Sequence, residues 1–247
     1  MRQSLIITIL FVCILLSACS SGNPTAAPDR QQAKIFEKTI CREARMNYLL
    51  YLPKEYDKAD KKWPLILFLH GAGERGDDIE LVKKHGPAKL IAEEKDFDFI
   101  IVSPQCPKEN WWPNLTEELN ALVDDITAKY KVDTNRLYIT GLSMGGYGTW
   151  SMIIQYPDKF AAAAPICGGG DAVLARFRLS KIPVWVFHGA KDSVVPLQKS
   201  EEMVEALKKA GNKEVKFTVY PEADHDSWTQ TYNNPELYQW FLGYEKK

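Results

Sequence analysis

The sequence predicts an α/β fold: one mostly parallel β-sheet of about eight strands, covered by helices on both faces. From Met46 onward, short β-branched or aromatic runs alternate with amphipathic stretches, the order in which a parallel sheet and its crossover helices are laid down. Nearly all of those runs are continuously apolar rather than alternating, so their strands are buried on both faces. A hydrophobic content of 45% over 247 residues supplies the apolar surface for one large core.

The first segment stands outside that sheet. Arg2 precedes the apolar run Leu5 to Leu16, which is too short to span a bilayer comfortably and ends in small residues, as a secretory signal does. Leu16, Ser17, Ala18 and Cys19 resemble the bacterial lipobox. That resemblance implies cleavage before Cys19 and a diacylglyceryl group on its sulfur. Several acyl chains hold a protein to a membrane stably, where one alone binds only marginally. The expected product is tethered by lipid alone, exported into the bacterial cell envelope, facing the periplasm or the cell surface. The expected division is a signal over residues 1–18, a flexible spacer over 19–32 and a folded domain over 33–247. The spacer stretch "SSGNPTAAPDR" is small, polar and proline-containing, a composition that stays extended and flexible.

Within the domain the elements follow in order. Asn47 to Leu52 reads as an additional strand at an antiparallel edge, and Leu65 to Leu69 and Phe99 to Val102 as central strands. Leu119, Leu122, Val123, Ile126 and Tyr130 fall at helical spacing. Strands follow at Leu137 to Thr140, Phe160 to Ile166 and Val184 to Phe187. A helix carries Met203, Val204 and Leu207 and stops at Gly211. A strand at Val215 to Val219 and a final helix at about Pro235 to Gly243, packing through Leu237, Trp240 and Phe241, close the domain. No repeat or second composition regime interrupts it.

Charge narrows the partners. Lysine plus arginine (31) nearly cancels aspartate plus glutamate (32), so no long-range field draws in nucleic acid, and none is expected as a partner. After signal removal and lipidation, Cys41, Cys106 and Cys167 remain, an odd number that permits one disulfide and requires none.

Chemistry enters at "TGLSMGGYGTW", residues 140–150. Gly141, Leu142, Ser143, Met144 and Gly145 match GxSxG between a strand and a helix, the context that gives this pattern meaning. A strand that turns at once into a helix holds the serine in a strained conformation, and side chains two residues to either side would collide with the crossing backbone. The hydroxyl is left at the tip of the turn, with the Met144 N–H beside it at a helix N-terminus.

A serine hydroxyl needs a histidine to take its proton and a carboxylate to orient that histidine, and in this arrangement the acid and then the histidine follow the serine in the chain. His188 lies upstream of the best acid, which leaves His225 in "YPEADHDSW", on a polar loop after the last strand. Asp192 follows Val184 to Phe187 through a short turn and is the expected acid. Asp171 starts a helix as a cap, and Asp224 and Asp226 adjoin the histidine and point elsewhere. "HGAGERG", His70 to Gly76, offers a second oxyanion donor besides Met144: Ala72, with Gly73 as the near alternative. His70 itself reads as structural. Glu74 and Arg75 are expected at the rim, as an ion pair or as substrate contacts. The loops at Gly71, Ser143, Asp192 and His225 each follow a different strand, where open parallel sheets build their sites.

On these residues the chain resembles the α/β-hydrolase superfamily, and within it small bacterial carboxylesterases related to feruloyl esterases and polyhydroxybutyrate depolymerases. "FLHGAGERGDD", "VDTNRLYITGLSMGGYGTW" and "VWVFHGAKDSVVP" carry the likeness, which covers about Asn47 to Leu242. It implies an α/β-hydrolase fold and a serine carboxylesterase acting through an acyl-enzyme on Ser143, with no metal or organic cofactor. Feruloyl or acetyl esters on carbohydrate are the candidate substrates.

Only a short stretch separates the strands around Cys167 and Lys181, so no large lid fits there and the cleft is expected to be open. Trp111 and Trp112 in "CPKENWWPN" are candidate apolar walls for an acyl or aromatic group, with core packing as the alternative for either. The Gly168 to Gly170 run lines the rim or forms a turn. Two other functions compete: a serine peptidase of the prolyl oligopeptidase kind, for whose usual propeller the chain lacks room, and a non-catalytic binding lipoprotein on the same scaffold.

Overall fold

The structure, a computed structural model, describes residues 34–39 and 43–246. The apolar run Leu5–Leu16, the lipobox-like segment at Cys19, the spacer and Cys41 lie outside the described residues. The chain divides into two units at Arg42/Glu43. Residues 34–39 of the first belong to no helix or strand and are exposed, and the second carries the sheet and its helices. No helix among the described residues is long and apolar enough to cross a membrane.

Seven strands form one sheet among the described residues, against the expected eight or so: β1 (Tyr48–Tyr51), β2 (Trp63–Leu69), β3 (Ile100–Pro104), β4 (Val132–Leu142), β5 (Ala162–Ile166), β6 (Val184–Gly189) and β7 (Val215–Tyr220). Their spatial order is β1-β3-β2-β4-β5-β6-β7. β1 pairs antiparallel with β3, and every other pairing is parallel. The antiparallel edge strand therefore falls where its sequence placed it. β4 is the longest departure from expectation, starting at Val132, because the polar residues Asp133 to Arg136 continue the strand beyond its apolar run.

The alternation of strand side chains sorts the core into two layers. Leu65, Leu67 and Leu69 of β2 join a cluster with Leu119, Val123 and Ile126 of α2 (Thr116–Lys129) and with Trp150 and Ile153 of α3 (Met144–Gln155). Ile66 and Phe68 join the other, with Ala88 and Leu90 of α1 (Gly86–Ala92) and with Leu237 and Phe241 of α7 (Pro235–Leu242). All seven β2 residues are buried, the outcome a continuous apolar run predicts for a strand covered on both faces. Two further helices, α4 (Ala172–Arg178) and α5 (Gln198–Lys209), follow β5 and β6, and α6 (Trp228–Asn233) precedes α7. α5 ends where Gly211 takes φ +79°, a left-handed backbone suited to glycine. Parallel strands put the segments after β2, β4, β6 and β7 along one rim, on which the site is built. The segment 167–183 between β5 and β6 carries only α4, so it holds no large lid.

Candidate active site

Ser143 is the single residue between β4 and α3, and its backbone stands at φ 53°, ψ −115°. A non-glycine residue in such a region costs about 1–3 kcal/mol and persists only when its surroundings over-determine it. Here they do. The Ser143 N–H donates to the Ile166 carbonyl at 2.9 Å, and its own carbonyl accepts from Tyr147 N–H at 3.1 Å. A Cβ on Gly145 would lie 1.9 Å from the Leu69 carbonyl oxygen, and one on Gly141 would lie 2.4 Å from that of Gly145. The two glycines thus let three backbone segments touch, as the spacing predicts.

Opposite the serine stands His225. Its Nε2 lies 3.0 Å from Ser143 Oγ, and its Nδ1 lies 2.8 Å from Asp192 Oδ2. A carboxylate only accepts, so Nδ1 carries the proton and Nε2 presents a lone pair to the serine hydroxyl. The Asp192 side chain is fully buried while that of His225 is 18% exposed. The other oxygen of Asp192 accepts the N–H groups of Val194 (2.9 Å) and Val195 (2.8 Å), locking the turn after β6.

The competing carboxylates are each committed elsewhere. Asp171 caps α4 by accepting from Leu174 N–H at 2.9 Å. Asp226 accepts from Thr229 N–H at 2.9 Å. Asp224 Oδ1 takes the backbone N–H of Ser193 and of His225, both at 2.8 Å, and the Ser193 hydroxyl at 2.9 Å. The Ser193 backbone and side-chain bonds, with that from His225, hold its carboxyl below the usual range. Asp224 therefore ties the histidine loop to the acid loop, a role the sequence pattern does not reveal. Trp228 packs edge-on against His225, ring centroids 5.2 Å apart.

The loop after β2 brings the oxyanion candidates to the same rim. Ala72 opens the 3₁₀ turn Ala72–Glu74, and Met144 opens α3. The first N–H groups of a helix find no acceptor within it, so both are placed to donate outward. His70 is structural, as expected: it is buried, its Nδ1 donates to the Gly71 carbonyl at 2.6 Å, and its Nε2 accepts from Cys106 N–H at 3.0 Å. Burial pushes its pKa down to about 4.

Three expectations need correction. Trp112 is fully buried, donates through Nε1 to the His70 carbonyl at 2.9 Å, and packs against Gly148. It is core, and only Trp111, 46% exposed, is available as a wall. Glu74 and Arg75 form no rim ion pair. Glu74 is buried, its carboxylate oxygens 3.9 Å from His70 Nδ1 and from His85 Nε2. Arg75 donates to the carbonyls of Ala72 (3.0 Å) and Asn110 (3.3 Å) and lies over the Trp111 ring at 5.3 Å. The glycine run packs more than it lines: a Cβ on Gly168 would fall 2.6 Å from the Gly146 backbone, and one on Gly170 2.8 Å from Trp150.

Cys167 sits beside the triad with φ 39°, buried and free, its thiol pushed by burial up to about 12. Its sulfur and one ligand atom each of Asp192 and His225 lie within 4.8 Å of one another. Asp192 and His225 are already bonded to each other there.

The model of the dienelactone hydrolase family matches residues 101–246, a span from β3 through α7 that contains Ser143, Asp192 and His225. The chain belongs to the dienelactone hydrolase family. Among the family's wider relatives, it is similar to the bifunctional acetylxylan esterase/xylanase of Neocallimastix patriciarum, 26% identical over 182 residues, covering 72% of this chain and 26% of that one. It is also similar to the probable feruloyl esterase C of Aspergillus terreus, 25% identical over 166 residues, covering 63% and 58%. A solved thermostable esterase superposes with a TM-score of 0.67 at 36% identity, covering 81% of this chain and 59% of that chain. The chain thus spans about a quarter and somewhat over half of the lengths of these two relatives.

Proposed function

We propose that this protein is a serine carboxylesterase working through an acyl-enzyme on Ser143. The observation that carries the reading is the continuous relay from Ser143 Oγ to His225 Nε2 at 3.0 Å and from His225 Nδ1 to Asp192 at 2.8 Å. In that reading Ser143 Oγ attacks the ester carbonyl as His225 Nε2 takes its proton, and the buried Asp192 carboxylate stabilises the imidazolium. The N–H groups of Met144 and Ala72 receive the developing oxyanion. Collapse expels the alcohol, which takes the proton from Nε2. Water then attacks the acyl carbonyl by the same route as His225 takes its proton; collapse breaks the bond to Ser143 Oγ, which takes that proton back, and releases the acid.

The substrate we infer is an acyl group, feruloyl or acetyl, esterified to carbohydrate. The short connection 167–183 leaves room for a bulky alcohol, and Trp111, exposed and backed by Arg75, suits an aromatic or apolar acyl group. The relatives' names point the same way. A panel of nitrophenyl, acetyl-xylan and feruloyl esters, assayed with the protein and its Ser143→Ala variant, tests the reading. Turnover that disappears in the variant supports it, and no turnover of any ester rejects it. Labelling of Ser143 by a fluorophosphonate would dismiss a purely binding protein on this scaffold.

We further propose that Cys19 carries lipid and holds the enzyme in the bacterial envelope. This rests on Leu5–Leu16 and the Leu16–Cys19 segment. Membrane-fraction enzyme that turns soluble on Cys19→Ser substitution supports it; identical fractionation of the two rejects it.

A further inference from the structure

We propose that His188 is a positioning residue for the acid of the triad, acting through the Asp192–Val195 turn on the catalytic histidine. The inference rests on the proposed roles of Ser143, His225 and Asp192.

His188 is fully buried near the end of β6, four residues before Asp192. Its Nε2 lies 2.9 Å from the Val195 carbonyl and 3.1 Å from Asp192 Oδ2. Both neighbours only accept, so Nε2 must carry a proton. On the other side Nδ1 lies 2.7 Å from Ser200 Oγ, which stands 3.1 Å from the Gly168 carbonyl. The Ser200 hydroxyl donates to that carbonyl, which can only accept, so Ser200 on α5 braces the imidazole from the side away from the acid.

The Val195 backbone makes this more than packing. Its N–H donates to Asp192 Oδ1 and its carbonyl, across the Cα, accepts from His188, so His188 holds the residue that holds the acid. The positive end of the His188 N–H also sits beside Oδ2, the oxygen that receives His225 Nδ1–H. One carboxylate oxygen therefore faces two imidazoles, one sealed in the core and one open to the serine. Withdrawing the sealed N–H frees the Val195 carbonyl, loosens the turn and leaves more negative charge facing His225. The rate should fall through misplacement, and the His225 imidazolium should become easier to form.

Cys167, beyond β5, and Tyr147, on α3, also face Asp192, and burial raises both, Cys167 to about 12, so neither titrates near neutrality. Asp224 and Asp226 flank His225 on its own loop, Asp224 held below the usual carboxylate range by its bonds from Ser193.

The test compares His188→Leu, which keeps volume and removes the donor, with His188→Gln, whose amide N–H reaches the same place. Rates are expressed per Ser143 site titrated by fluorophosphonate, so misfolded protein is not counted. His188→Leu should lower kcat about tenfold to a hundredfold with KM unchanged. The acid limb of the labelling rate should move to higher pH. His188→Gln should recover most of the rate and return the limb. If His188→Leu yields no folded protein, Ser200→Ala, which removes that brace, should lower kcat about threefold to tenfold at constant KM. Unchanged kcat and limb in whichever variant folds, or equal losses in Leu and Gln, overturn the proposal. Because labelling reports Ser143 without any ester, a protein that labels but cleaves no ester rejects the proposed substrate and leaves this test intact. Absence of wild-type labelling rejects the triad and His188's role with it.

Discussion

The serine turn and the histidine loop face each other across 3.0 Å, yet they are held by opposite means. At Ser143 the backbone is clamped: the Leu69 carbonyl, Gly141 and Gly145 touch where no Cβ fits. At His225 the segment is polar and partly exposed, and side chains hold it, with Asp224 gripping Ser193 and Asp226 gripping Thr229. The nucleophile is thus built into the core and its base is hung from the rim. Packing defines the first position to a fraction of an ångström. The second depends on a few hydrogen bonds at the solvent-facing rim, where water competes for every donor and acceptor.

The largest effects should ignore that contrast. Ser143→Ala and His225→Ala should each lower kcat on the order of a million-fold, because the chemistry needs both ends; a stopped assay on the best ester measures it. Where the regions should part is Gly145→Ala against Asp224→Ala. The first inserts a Cβ into the Leu69 carbonyl and should destabilise by about 4 kcal/mol or more, visible as lost soluble protein or a collapsed urea midpoint. Ala72→Pro sharpens the electrostatic side. Proline is tolerated as the first residue of a helix and after the extended Gly71 (ψ 179°). The fold should therefore survive, while loss of one oxyanion donor lowers kcat about a hundredfold to a thousandfold.

Acid should strike the clamped region before the hung one. His70 beneath the oxyanion loop falls from 6.5 to about 4 on folding because burial disfavours its charged form. Between those values the unfolded chain binds the extra proton, so stability is present above pH 6.5 and is lost as pH falls toward 4, by about 3 kcal/mol in all. Urea midpoints across that range should show the slope, and His70→Asn should flatten it. Smallest is Asp224→Ala, which should keep the fold and lower kcat about tenfold at little change in midpoint. A collapse of stability there would erase the distinction between the two regions.

Much of the fold and the triad was legible in the residues because parallel sheets announce themselves. A strand covered on both faces has to be a continuous apolar run, and a serine wedged between strand and helix has to have glycines beside it. What escaped was whatever depends on which neighbour a side chain meets. Trp111 and Trp112 are identical in type and adjacent in sequence, but one stands in solvent over Arg75 and the other fills the space above Gly148. Glu74 reads as a surface charge and is buried near two histidines. β4 runs through the polar stretch Asp133 to Arg136, which no apolar pattern marks. Chain order sets His188 aside as a base, correctly, and that same logic hides its contact with the acid.

The two described cysteines carry a consequence of their own. Burial lifts both thiols to about 12, so at neutral pH scarcely any sulfur is in the form that attacks an electrophile. Iodoacetamide and maleimides should therefore leave the folded enzyme working, even though one sulfur neighbours the reactive alcohol. A reagent's choice between the two atoms becomes a readout of how tightly the core stays shut.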